Sequence, residues 1–444
     1  MIAISGKHIV LPDGVRAGVV LIAEERIVAI LDSLPHDFSG TVIDAGDKMV
    51  MPGVIDPHVH INEPGRTAWE GFETATRAAI AGGVTTLIDM PLNASPVTTT
   101  VAAFYEKQQA TNGKLHTQVG FWGGLVPGNT DQIEPLIQAG VLGFKAFLTH
   151  SGIDDFPNVT RADLELAMPI IAKYNLPLLV HCELSDDTSF KPEAGTEHIY
   201  LNYLASRPKY WEDDAIAMMI ELCERFQCRV HIVHLSSATA LPQIIAARNI
   251  GLPLTVETGQ HYLYFNAEEI PNGSPAYKCA PPIREAANNE QLWKALQAGV
   301  IDLVATDHSP SIPALKALET GNFMKAWGGI ASIQFALPVL WTAAQKHGIE
   351  FSELSKWLCE APAALAGLAN RKGKIEVGFD ADITIVDHRL SFTVREELVL
   401  HRHKVNPYMG QELYGVVTDT FLMGRHVCQA GQYLMPHHGT MLLR

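Results

Sequence analysis

The sequence predicts an α/β protein, a (β/α)8 (TIM) barrel with a small β-sandwich domain built from both chain termini. Eight short apolar runs rich in β-branched residues alternate with helix-compatible stretches across about 250 residues. Strand-like segments with tight turns frame that region at both ends. No G-x-G-x-x-G follows the first run, which weighs against the competing doubly wound sheet.

The elements follow in order. The first ~50 residues read as short strands, with a Pro-Asp-Gly turn in H-I-V-L-P-D-G-V before A-G-V-V-L-I-A-E-E-R-I-V-A-I. The eight barrel runs are Met51–His60, Val84–Met90, Gln118–Leu125, Val141–Leu148, Leu178–His181, Val230–Leu235, Leu252–Thr258 and Leu303–Thr306. Between the first two lies W-E-G-F-E-T-A-T-R-A-A-I-A-G-G, whose closing glycines suit a helix stop. Ala381–Asp387, Leu413–Thr418 and Thr420–Val427 return to a strand pattern. The expected division is residues 1–50 plus 373–444 for the sandwich and 51–372 for the barrel.

Composition narrows the function. The 444 residues are 47% hydrophobic and 18% charged, which leaves ample core. A formal net charge of −15 argues against nucleic acid or an anionic membrane as partner. Six cysteines without a C-x-x-C favour a reducing cytoplasm, and the start M-I-A-I-S-G-K-H lacks the features of a secretory signal. Trp327–Gln345 carries no formal charge, but its glycines, Pro338 and polar residues suit a buried helix better than a membrane span.

In such a barrel the chemistry gathers at the C-terminal ends of the strands. The first run ends in D-P-H-V-H, and residues two apart on a strand point the same way, so His58 and His60 share a direction. The fourth run carries Lys145, the fifth ends in His181, the sixth in His234 and the eighth in Asp307. Singly, each has an ordinary explanation, since a lone histidine at a strand end is more often a satisfied core or surface residue than a ligand. Together, four imidazoles, a carboxylate and a lysine converge on one rim, and that donor set suits Zn²⁺. An ammonium cannot ligate a cation, but a lysine that has reacted with CO₂ becomes an anionic carbamate able to bridge two. A metal pair about 3.5–4 Å apart lowers the pKa of water from ~15.7 toward ~7, so the pattern predicts a metal-assisted hydrolase. His231 shares strand parity with Val233 and Leu235, opposite His234, and is read as structural, as is His308. His261 follows the seventh run and is also left outside the site.

With these residues placed, the chain resembles the cyclic amidohydrolases of the amidohydrolase superfamily, the dihydroorotases, hydantoinases/dihydropyrimidinases and allantoinases. The likeness spans nearly the whole chain, including G-K-I-E-V-G-F-D-A-D-I-T-I-V-D at the return to the sandwich. It implies that His58, His60 and Asp307 bind the more buried metal and His181 and His234 the second. Lys145, as N6-carboxylysine, would bridge both, and Asp307 would act as catalytic acid and base. Zinc is the expected metal, with Co, Mn or Fe accepted by the same ligands.

Dihydroorotases carry H-x-H-x-R, whose arginine grips a substrate carboxylate, whereas the corresponding residue here is Asn62. I-D-M-P-L-N, K-C-A-P-P-I-R, M-K-A-W-G-G-I-A and R-H-K-V-N-P-Y-M-G are similar to the allantoinase branch. That branch opens the neutral ring of allantoin to allantoate. Asn93, Cys279, Ser309 and Trp327 lie in motifs where the family lines its pocket. A homo-oligomer, with a tetramer favoured, is the implied assembly. The alternatives are a hydantoinase/dihydropyrimidinase, a dihydroorotase, or a non-catalytic scaffold, a class expected to lose metal ligands, whereas all six positions are filled here.

Overall fold

The computed structural model describes residues 1–186 and 190–444. Eight parallel strands form the barrel: Val54–Val59, Val84–Asp89, Gln118–Phe121 continued by Gly123–Gly124, Phe144–Phe147, Pro177–His181, Arg229–Ile232, Leu254–Gly259 and Leu303–Ala305. The barrel closes where the His60 amide donates to the His308 carbonyl at 2.7 Å and the Asp56 carboxylate accepts from the Thr306 hydroxyl. Helices Phe72–Ala81, Val101–Ala110, Ile133–Ala139, Arg161–Lys173, Lys209–Phe226, Leu241–Asn249 and Ala286–Gln297 return the chain between strands. The helix at Arg161 starts at a capping box in which the Thr160 and Asp163 side chains satisfy each other's backbone amides.

Alternate strand residues divide between two apolar cores, as the two-residue period of a strand requires. Phe144, Ala146, Leu178, Val180, Val230 and Ile232 face the helices. Ile88, Phe147, Leu179, Val233 and Leu303 share a second cluster with Trp122 and Leu142. Lys145 and His181 have the parity of that second set, so the barrel delivers both to its interior.

Both termini build the sandwich, whose nine strands share one mixed sheet. The two halves join where Met49–Pro52 runs antiparallel to Ile383–Val386. Ile4, Ile9, Val20, Ile22, Val50, Ile383, Ile385 and Phe421 fill a separate core. The apolar run at Met51–His60 therefore divides at Gly53, its first part pairing with the sandwich and its second with the barrel. A Cβ on Gly53 would lie 2.3 Å from the Thr85 hydroxyl oxygen, so only glycine lets the chain change sheets there. The last residues turn back to the barrel, where Val119 donates to Thr440 at 3.0 Å and accepts from Leu442 at 2.8 Å. Within the charge-free segment the helix is Ala336–Ala344, mostly buried, and no helix among the described residues is long and apolar enough to cross a membrane.

Candidate metal centre

The interior rim is organised by where each imidazole sends its proton. His60 Nδ1 lies 2.7 Å from the Leu92 carbonyl, which can only accept, so the proton is on Nδ1 and the Nε2 lone pair faces the centre. His58 Nδ1 donates to Glu257 in the same way, again freeing Nε2. His181 is turned over: its Nε2 donates to Glu183 at 2.7 Å, leaving Nδ1 for the centre. Burial keeps His58, His181 and His234 below the ordinary histidine pKa, hence neutral and able to ligate at neutral pH.

Into this set comes Asp307, whose Oδ1 is 3.3 Å from His58 Nε2 and 3.5 Å from His60 Nε2. Burial opposes the Asp307 carboxylate, but His58 and His60 beside it hold its pKa below the usual range. With Nδ1 of each ring committed to another acceptor, both Nε2 atoms are aimed at the carboxylate. Two ring nitrogens and a carboxylate oxygen aimed at one point are a donor set that suits a divalent metal, and the residues fit one for that reason. Coordinating atoms of His58, His234 and Asp307 all lie within 4.8 Å of one another. The His181 and His234 rings meet edge to face at 4.6 Å, and Phe147 stacks on His181 at 4.6 Å. Lys145 is wholly buried, and its Nζ has no hydrogen-bond partner. Burial lowers its pKa to about 8 despite the attraction of Glu257 and Asp307.

Parity alone would put His231 and His234 on opposite faces, yet both turn inward. The sixth strand ends at Ile232, and His234 has φ 40°, a left-handed conformation that redirects its ring. Asp307 at φ 45° and Asn62 at φ 66° are redirected the same way just beyond their strands. Non-glycine residues avoid this region, and such strain gathers at functional sites. His231 lies beneath the centre, with Nε2 3.1 Å from Glu257 Oε2 and Nδ1 2.8 Å from the Thr255 hydroxyl. His308 turns away, and its Nδ1 accepts from the Ser332 amide at 3.0 Å. His261 is fully buried, and neither ring nitrogen has a partner. Burial pushes its pKa down to about 4.

Three residues that the motif reading passed over support the ligands. Glu257 receives His58, His231 and the His234 amide together, and the positive charge they can share holds its carboxyl far below the usual range against the cost of burial. A carboxylate in the apolar seventh strand was the available signal. Glu183, two residues past His181, is gripped by Arg207, whose Nε donates at 3.0 Å. Such partners fix ring orientation and ligand basicity. Glu257→Gln supplies an N–H where Glu257 accepts, so metal affinity should fall about 10- to 100-fold, measured by dialysis against a graded chelator. Unchanged metal retention would remove Glu257 from this role.

The centre opens into a cavity of about 550 Å³ lined by Asn93, Ser309 and Trp327, as well as Arg207 and Lys278. Asn93 donates from Nδ2 to Asn62 Oδ1 at 3.4 Å, which leaves its own oxygen free. Trp327 packs edge-on against Trp69 at 4.9 Å. Gly329 comes so close to Ser309 that a Cβ would lie 2.2 Å from its carbonyl oxygen. Cys279 is 1% exposed, and its neighbours Lys278 and Ala280 line the cavity in its place. The Lys278 amine is committed to the Met324 and Ala326 carbonyls at 3.1 and 2.6 Å, which secures the loop that carries Trp327.

The pattern of the Amidohydrolase family matches residues 49–427. The chain is 44% identical to an allantoinase of Streptomyces avermitilis, covering 100% of this chain and 98% of that one. It is 42% identical to an allantoinase of Arabidopsis thaliana, over 99% and 90% of the two chains. Among solved structures, an L-hydantoinase (dihydropyrimidinase) from Arthrobacter aurescens superposes with a TM-score of 0.94 at 30% identity, covering 100% of this chain and 99% of the other.

Proposed function

The chain belongs to the Amidohydrolase family, and from that premise we propose that it hydrolyses the ring amide of allantoin to give allantoate. The observation that carries the reaction class is the convergence of His58 Nε2, His60 Nε2 and Asp307 Oδ1 on one point. End-to-end identity to relatives named allantoinase supports the substrate. Two divalent ions would be held by His58, His60, His181, His234 and Asp307. Lys145 would bridge them after its neutral amine adds CO₂ and releases one proton. Zinc is the ion favoured by the donor set, with Co, Mn or Fe as substitutes. When bound, the metals supply Lewis acidity and make water a nucleophile near neutral pH.

The protein's own groups do the rest. Asn93 and Ser309 offer hydrogen bonds to a neutral ring, and Trp327 walls the cavity against water. Asn62, tied to the Pro310 carbonyl at 3.1 Å, brings no charge for a substrate carboxylate. Asp307 takes the proton of the attacking water. It then passes that proton to the ring nitrogen as the carbon–nitrogen bond breaks. The product is a carboxylate with the ureido tail intact. The family resemblance supports a homo-oligomer, with a tetramer favoured. The cysteine pattern supports a cytoplasmic location.

The deciding assay compares allantoin, hydantoin, dihydropyrimidine and dihydroorotate with and without added metal. Allantoin should lead by about 10⁴-fold or more in kcat/KM, the scale on which a site built to hydrogen-bond one group rejects analogues lacking it. A faster rate on any of the other rings would reassign the substrate. No turnover and no bound transition metal would leave only the scaffold reading.

A further inference from the structure

A second cluster of ligating side chains lies outside the barrel mouth. Glu73 is in the first turn of helix Phe72–Ala81, His116 precedes the third barrel strand, and His437 is on the C-terminal tail. His116 Nε2 is 3.0 Å from Glu73 Oε1, and His437 Nδ1 is 3.5 Å from Glu73 Oε2. Ligand atoms on all three residues lie within 4.8 Å of one another. We propose that Glu73, His116 and His437 form a further transition-metal site, of the Zn²⁺ class, that clips the C-terminal tail to the barrel.

Chemistry and geometry both support this. Two imidazoles and a carboxylate are a standard zinc donor set, and a water fills the fourth position. Ligand atoms about 2.0–2.1 Å from a tetrahedral zinc are about 3.3–3.4 Å apart; the two contacts, one to each Glu73 oxygen, are near that spacing, and the full set, within 4.8 Å, closes further on the ion. His116 is held in place: its side chain is 4% exposed, and its amide donates to the Thr76 hydroxyl at 3.1 Å on the same helix as Glu73. The Tyr433 hydroxyl donates to the Arg77 carbonyl at 2.9 Å, and its ring lies 5.6 Å from that of His116, which brings the tail to that helix. His437 has φ 53°, a left-handed turn that directs its ring back to Glu73. Loading metal on His116 Nε2 puts the ring proton on Nδ1. The 3.5 Å contact from the His437 amide, the longest in the cluster, is then given up.

The clip matters because of what the tail does next. Beyond His437, the Gly439 amide donates to Leu115, Thr440 and Leu442 pair with Val119, and the Arg444 amide donates to Gly140. Leu442 is buried in the cluster that holds Trp122, whose indole donates at 2.7 Å to the Pro57 carbonyl, beside His58. A cation at the clip therefore favours the closed tail over the released one.

The test uses the full-length protein, its His437→Asn variant and a Glu73→Gln variant, each dialysed against saturating zinc. Asn tolerates the left-handed backbone but is a poor zinc ligand. Wild type should bind one zinc per chain more than either variant, with allantoin turnover unchanged in all three. Hydrogen exchange at the Leu442 and Arg444 amides should slow by about 100-fold in wild type when free zinc is 100 times the dissociation constant, and not in the variants. Equal metal content, or tail exchange indifferent to zinc in wild type, would overturn the proposal. Because the readout is a difference in metal count, it stands or falls separately from the substrate reading.

Discussion

Lys145→Ala should fold normally, lose bound metal, and turn over substrate more than about 10³-fold slower than wild type, the upper end of what one preorganised electrostatic group supplies. The argument starts from the amine as the structure holds it, wholly buried and with no hydrogen-bond partner. An unpaired buried amine costs stability, so evolution toward stability alone would have removed it. Its pKa of about 8 leaves roughly a tenth of it neutral at pH 7, and only the neutral amine can add CO₂. The sign of the stability effect follows from the same shift. A lysine whose folded pKa lies below its unfolded value binds more protons when unfolded, so the metal-free wild type should gain stability as pH rises from about 8 toward 10.5. Lys145→Ala should lack that slope and melt at a higher temperature than metal-free wild type at pH 7. Acetate or propionate, placed in the vacated space, should restore part of the metal binding and activity. Full activity in the variant without such additives would end the bridging role.

What the sequence reveals of this site depends on how far a residue's role depends on its own strand. His58, His60, Lys145, His181, His234 and Asp307 each interrupt or close an apolar run, and the strand-end rule for barrels gathers them without any knowledge of neighbours. Glu257 is different. Its meaning lies in contact with His58, 199 residues away, and with His231 on the adjacent strand. Pairwise neighbours of that kind follow from barrel closure, not from periodicity. Parity failed at His231 for a related reason: two-residue alternation holds only within a strand, and His234 lies beyond its strand in a left-handed conformation. The alternation of strands and helices was legible because burial on both strand faces leaves a plain apolar run. The change of sheets at Gly53 was not, since both halves of that run are equally apolar. The return of the tail to Val119 is made through backbone hydrogen bonds, which no side-chain pattern encodes.

Asp307→Asn should abolish measurable turnover, a loss of about 10⁴-fold or more, because two functions end at once. An amide cannot take the proton of the attacking water, so the departing nitrogen has no donor. It also replaces an anionic ligand, exchanging the carboxylate that faces two imidazole lone pairs at 3.3 and 3.5 Å for a neutral group. The fold should survive. Asn is among the non-glycine residues that best tolerate the left-handed region, and Asp307 sits at φ 45°. In the metal-free protein the substitution removes the carboxylate charge that His58 and His60 attract. Metal-free Asp307→Asn should therefore melt no higher than metal-free wild type, and the variant should gain much less from zinc than wild type does. Calorimetry of both proteins with and without zinc checks the pair of signs together. If zinc raises the melting temperature of the variant as much as that of wild type, Asp307 is not poised for a cation; if the variant keeps ordinary turnover, the proton passes through another group.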